Sequence, residues 1–140
     1  MGEPPLPNPL PLKGTREIRF AGYAAVFDWP DRGGDVIRAG AFKRALERAG
    51  DVPLLWQHKG AAIGRIEHLS EDRRGLRVIG RVADARIGAL VQRGLRGLSF
   101  GYRVRAARNG AMRELVDLDL IEVSLVARPM QPRARVHAVE

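Results

Sequence analysis

The chain has 140 residues, three histidines and no cysteine, so a disulfide framework and a thiolate nucleophile are excluded, and a zinc site would need carboxylate help. Its 24 lysines and arginines against 16 aspartates and glutamates give a formal charge of +8. That admits an acidic partner, but the basic residues are spread from Arg16 to Arg135 without a dense cluster and without interleaved aromatic stacking platforms.

This length suits one domain with its own core. No apolar run approaches the roughly 20 residues of a membrane span, and the N-terminus lacks a signal-peptide layout. The expectation is a soluble, cytosolic protein with no membrane or nucleic-acid partner, no cofactor and no metal.

Residues 1–14 are proline-rich and read as a flexible arm, residues 15–132 as the folded domain, and residues 133–140 as a basic C-terminal tail. "REIRFAGYAAVF" alternates on either side of Gly22 and predicts a strand with a bulge there. "DWPDRGGD" reads as a loop. "AGAFKRALERAG" places Phe42, Ala45, Leu46 and Ala49 at helical spacing, which predicts a short helix near 40–49. "VPLLWQH" predicts a brief strand ending at His58, followed by a glycine loop. "IGRIEHLSEDRRGLRVIGRVA" predicts a hairpin whose turn includes Ser70. In "DARIGALVQRG", Asp84 caps a helix near 85–93 with Ile87, Leu90 and Val91 inward. "GLRGLSFGYRV" and "LVDLDLIEVSLVARP" are the last two strands. The pattern is mainly β with helices, an α+β chain whose strands form a closed or partly open barrel surrounded by a few helices.

Few residues can act as nucleophiles. Thr15 lies in the proline-rich lead-in and Ser70 reads as a turn-former, which leaves Ser99 and Ser124. On the Ser99 strand, Leu98, Phe100, Tyr102 and Val104 share one side, while Gly97, Ser99 and Gly101 share the other. The hydroxyl thus points away from the core, between two positions without side chains. Such a surface admits a substrate backbone, or equally a helix packed outside the sheet.

A serine attacks a carbonyl only when a base accepts its proton, normally a histidine. His137 falls in the basic tail, His68 within the hairpin, and His58 at a strand end beside glycine, where a rigid scaffold positions a side chain and a loop admits substrate. Ile121, Val123 and Leu125 read as one face of the last strand, with Glu122 and Ser124 opposite. Glu122 there either orients an imidazole or pairs with an arginine.

Three blocks, "FAGYAAVFDWPDRGGDVIRAGAFKRAL", "PLLWQHKGAAIGRI" and "GLSFGYRV" with "LIEVSLVARPMQP", resemble in order and spacing the HK97-type prohead maturation proteases of tailed bacteriophages and gene-transfer agents. The resemblance runs from about Phe20 to Pro132. It implies a serine endopeptidase related in fold to the herpesvirus assemblins, with an active site on the barrel wall. It further implies His58 as general base, Ser99 as nucleophile and Glu122 as the orienting group, with His68 a second candidate for the third position because assemblins use a histidine there. Oxyanion or substrate contacts are assigned to Arg96, Gly97, Phe100 and Gly101, with Arg103 a further basic neighbour. The implied substrates are the major capsid protein or a scaffold segment, and the chain itself, inside an assembling procapsid in the bacterial host cytoplasm; a homodimer is a further implied partner. The rival readings are a catalytically inactive capsid-assembly factor and a basic module that binds nucleic acid or scaffold.

Overall fold

In a computed structural model, which describes residues 17–48 and 50–140, eight strands form one sheet flanked by two helices. The strands are β1 (Ile18–Val26), β2 (Asp35–Ile37), β3 (Leu54–Trp56), β4 (Lys59–Glu71), β5 (Gly75–Val82), β6 (Gly97–Asn109), β7 (Arg113–Val126) and β8 (Val136–Val139). The helices are α1 (Lys43–Arg48) and α2 (Ala85–Gln92). The predicted proline-rich arm lies outside the described residues.

The sheet runs β2-β7-β3-β4-β5-β1-β8, with β6 paired to β7. All ladders are antiparallel except β7 with the short strands β2 and β3. The sheet curls until its ends touch, at a bridge between Gly97 and Arg135. There Leu98 N–H donates to the Ala134 carbonyl at 3.0 Å and Val136 N–H to the Arg96 carbonyl at 2.8 Å. The result is the partly open barrel expected from the alternating runs.

Inside it, Phe20, Leu54, Leu76, Val78, Leu98, Leu118 and Leu125 are fully buried, with Phe42 brought in just ahead of α1. Removing such side chains from water supplies most of the favourable folding energy. Asp84 caps α2 as predicted, accepting from Arg86 N–H at 2.9 Å and Ile87 N–H at 3.1 Å. This satisfies two of the donors that a helix leaves open at its start.

Four local readings change. The bulge of β1 against β5 falls at Ala24, whereas Gly22 is needed because a side-chain carbon there would collide with the β8 backbone, 2.7 Å from Val136 Cα. β2 begins at the last residue of the predicted loop and runs on through Val36 and Ile37, which the sequence pattern assigns to no element, because three residues are too few to show a period. Segment 133–140, read as a tail, contains β8, which pairs with β1 and buries Val136. Ser70 lies within β4 rather than in the turn, which is formed by Asp72.

Candidate active site

The β6–β7 ladder sets Gly97 opposite Val126, Ser99 opposite Ser124 and Gly101 opposite Glu122. Directly opposed residues of an antiparallel pair project to one face. That face is therefore the polar one, while Leu98, Phe100, Val123 and Leu125 fill the core on the other.

Glu122 reaches the polar face through a β-bulge. Tyr102 pairs with Leu120 and Gly101 with Glu122, so Ile121 is an extra residue on β7. Sequence alternation placed Ile121 with Val123 and Leu125; instead it is bulged out and 48% exposed. The inserted residue reverses the alternation, since Leu118 and Leu120 pack on the core side before it and Val123 and Leu125 after it. Without it Glu122 would follow the leucines inward.

His58 arrives by a different device. β3 and β4 are joined by Gln57 and His58 alone, and both have positive φ, 56° and 68°. A two-residue hairpin turn with both central φ values positive normally carries Asn-Gly, because larger side chains are strained in that region. The predicted strand end is thus this turn, and the predicted glycine loop is the start of β4. Tertiary contacts hold the turn. Gln57 N–H donates to the Leu125 carbonyl at 3.0 Å, and Ala127 N–H donates to Gln57 Oε1 at 2.8 Å.

The imidazole then meets the carboxylate. His58 Nδ1 lies 2.7 Å from Glu122 Oε2, and Ser124 Oγ donates to Glu122 Oε1 at 2.7 Å. An ionised carboxylate only accepts, so Nδ1 donates, and in the neutral imidazole the lone pair is then on Nε2. The Glu122 side chain is 8% exposed and that of His58 43%, an anchored base with an open outer edge.

Ser99 is buried, 6% exposed, and shares with His58 a pocket of about 110 Å³ whose lining includes Asp31, Tyr102, Met130 and Gln131. Among the described residues its hydroxyl makes no hydrogen bond, to the imidazole or to any other group. Burial, then the nearby charges of Asp31 and Asp35, push the Tyr102 phenol up. Gln131 pins the segment after β7 to β1, accepting from Val26 N–H and donating to the Val26 carbonyl, both at 2.9 Å. Among the described residues no cluster of three His, Asp or Glu is arranged to hold a metal ion.

The remaining candidates have other partners. Arg96 donates to the Val91 and Leu95 carbonyls at the end of α2, so its charge is used there. The Phe100 ring lies on the core side, edge-on to Phe42 at 5.2 Å and against Tyr102 at 4.8 Å, and Phe100 is among the residues that line the pocket shared by Ser99 and His58. Gly97 is required by the Val126 backbone and Pro129, and Gly101 by Glu122, whose Cδ would lie 3.0 Å from an added side-chain carbon. The glycines beside Ser99 are therefore clearances for neighbouring groups. Arg103 is exposed farther along β6. His68 bonds to Ser70 Oγ at 2.9 Å on the exposed part of β4, with no bond to His58. Sequence reasoning left Ser124 without a role and passed over Gln57. The alternation that put Ser124 beside Glu122 was the available signal for the first; the second had none.

Comparison with known proteins agrees with this architecture. The KSHV protease, solved with a hexapeptide phosphonate inhibitor, superposes with a TM-score of 0.57 over 89% of this chain and 65% of its own, at 12% identity, a likeness of fold. The prohead protease of Enterobacteria phage HK97 is 37% identical over 94 residues, 61% of this chain and 42% of that protein, so the chain matches less than half the length of this relative. The family model described as caudovirus prohead serine protease matches residues 9–140. Spanning nearly the whole sequence, that match places the chain in the caudovirus prohead serine protease family.

Proposed function

We propose that the chain is a serine endopeptidase of procapsid maturation, with Ser99 as nucleophile, His58 as general base and Glu122 as the group that orients it. One observation carries this reading: an imidazole anchored through Nδ1 on a buried carboxylate opens onto the same pocket as an otherwise unbonded serine. His58 Nε2 takes the Ser99 proton as Oγ bonds to the peptide carbonyl carbon, and the Glu122 carboxylate stabilises the imidazolium that forms. The imidazolium then protonates the departing amine nitrogen as the C–N bond breaks. A water molecule, deprotonated by the same nitrogen, releases the acyl group and regenerates the serine.

Charge on the tetrahedral oxygen calls for backbone donors. β6 pairs with β7 along one edge only, and Leu98 N–H on the opposite edge is taken by Ala134. Phe100 N–H projects along that same free edge, one step past the bridge, and is the donor assigned here. The protease domain in this reading runs on through β8, because the 134–136 segment closes the barrel beside Ser99.

The substrates are segments of the major capsid protein or scaffold, and the chain itself, met inside the procapsid in the host cytoplasm. Packaging enzyme with substrate raises their effective concentration without any new contact; a homodimer would be a further control. Co-expression with the capsid protein of the same genome tests the reading. The wild-type chain processes it, while Ser99→Ala and His58→Ala fold and leave it intact. Processing by Ser99→Ala would overturn the assignment.

A further inference from the structure

The geometry points to Ser124 as a positioning residue, whose hydroxyl ties the His58 turn and the Glu122 carboxylate into one rigid unit. Its consequence for catalysis rests on the serine-protease reading above; its geometry does not.

Ser124 is fully buried in β7, between Ser99 on β6 and Leu55 on β3. Its Oγ accepts the His58 backbone N–H at 3.0 Å and donates its one proton to Glu122 Oε1 at 2.7 Å. Glu122 Oε2 in turn receives His58 Nδ1–H at 2.7 Å. The bonds form a ring that leaves His58 through its backbone nitrogen and returns to it through its imidazole.

Such a ring fixes both ends of one side chain. The backbone bond sets where the turn sits above the sheet, and the ring bond sets the imidazole plane. Two consecutive non-glycine residues with positive φ would otherwise relax, since each is strained and persists only when its surroundings over-determine it. Ser124 supplies that constraint from the strand which also carries Glu122, so acid and base move together.

The same bonds disqualify Ser124 as a second nucleophile. Its proton is committed to a carboxylate, and no part of the residue is open to solvent. It does not itself line the pocket, and acts through His58 and Glu122.

The test uses the full chain as wild type, Ser124→Ala and Ser124→Thr. Three properties are read: exchange of the His58 amide, the His58 Nδ1–H resonance, and the rate at which a fluorophosphonate probe labels Ser99. In Ser124→Ala the amide loses protection, the Nδ1–H resonance broadens and labelling slows about 10- to 100-fold, the loss expected from a base held slightly out of place. Ser124→Thr keeps the hydroxyl and restores all three. If Ser124→Ala does not fold, Ser124→Thr against the isosteric Ser124→Val makes the same comparison, and equal behaviour of that pair overturns the inference. Wild-type amide protection, resonance and labelling in Ser124→Ala also overturn it, while leaving the protease reading intact. If wild type is never labelled but the amide and Nδ1–H signals still depend on the hydroxyl, the positioning role stands and the protease reading falls.

Discussion

The two turns at the ends of β4 are built on opposite principles. At the far end, Asp72 Oδ1 accepts Arg74 N–H at 2.8 Å and Gly75 N–H at 3.2 Å, so the reversal is made by the turn's own aspartate, with no positive φ among its non-glycine residues. At the near end, Gln57 and His58 both take positive φ, and the bonds that secure them come from β7 and the residue after it. The first turn follows local chemistry and serves only to reverse the chain. The second departs from local preference and puts an imidazole over a buried carboxylate. In the proposed reading, strain borne by tertiary contacts marks the working end of the strand.

The comparison is broken most severely at Glu122. Glu122→Gln keeps the shape but replaces an acceptor-only group, so the imidazole is no longer held in one tautomer. Fluorophosphonate labelling of Ser99 should fall by about 10⁴-fold, with thermal stability little changed. Labelling within tenfold of wild type would remove Glu122 from the site.

Gly101→Ala comes next. The new methyl group would overlap the Glu122 side chain, and displacing that carboxylate should slow labelling about 100-fold and cost about 1–3 kcal/mol of stability. Denaturant melts and labelling rates on the same preparation separate the two effects. An unchanged rate would mean that Glu122 can shift without consequence.

Asp72→Ala sharpens the contrast from the other side. It removes two backbone acceptor bonds and the Tyr23 hydroxyl's partner, at a cost of about 1–2 kcal/mol, and should leave the labelling rate untouched.

The smallest effect is a dependence on pH away from both turns. The Arg113 guanidinium beside Asp35 holds its carboxyl below the usual aspartate range, the pairing that fastens β2 to β7. Because the folded value is the lower one, the stabilisation is complete above the unfolded value and is lost as pH falls through the folded one. Melting temperature followed downward from neutral pH should therefore fall less steeply in Asp35→Asn than in wild type.

What could be read from the sequence follows the same division. The alternation of β1, β5 and β6, the Ile87 and Val91 stripe of α2 with its Asp84 cap, and the small-residue face around Ser99 are local signals, and each element formed where they put it, although Leu90, read into the same stripe, is exposed. β2 and β8 are too short for periodicity, and their pairing depends on strands far away in sequence. Ile121 read as sharing a face with Val123 and Leu125 because a bulge inverts the alternation without any marker in composition. Arg96 was drawn into the site by proximity to Ser99, although its side chain goes to the end of α2, whereas Phe100 does line the pocket beside Ser99. His58, Ser99 and Glu122 were named as candidates through the family blocks; the way His58 and Glu122 are held was not legible, since Gln57-His58 is no recognised turn pair and Ser124 acts only through the backbone of His58 and the carboxylate of Glu122.

The most direct measurement is to treat the purified wild-type chain with a fluorophosphonate probe and locate the adduct by peptide mass spectrometry. Ser99 should carry it, and His58→Ala should abolish it while remaining folded. An adduct on Ser70 or Ser124, or labelling of Ser99 that survives loss of His58, would contradict a nucleophile activated by the His58–Glu122 pair.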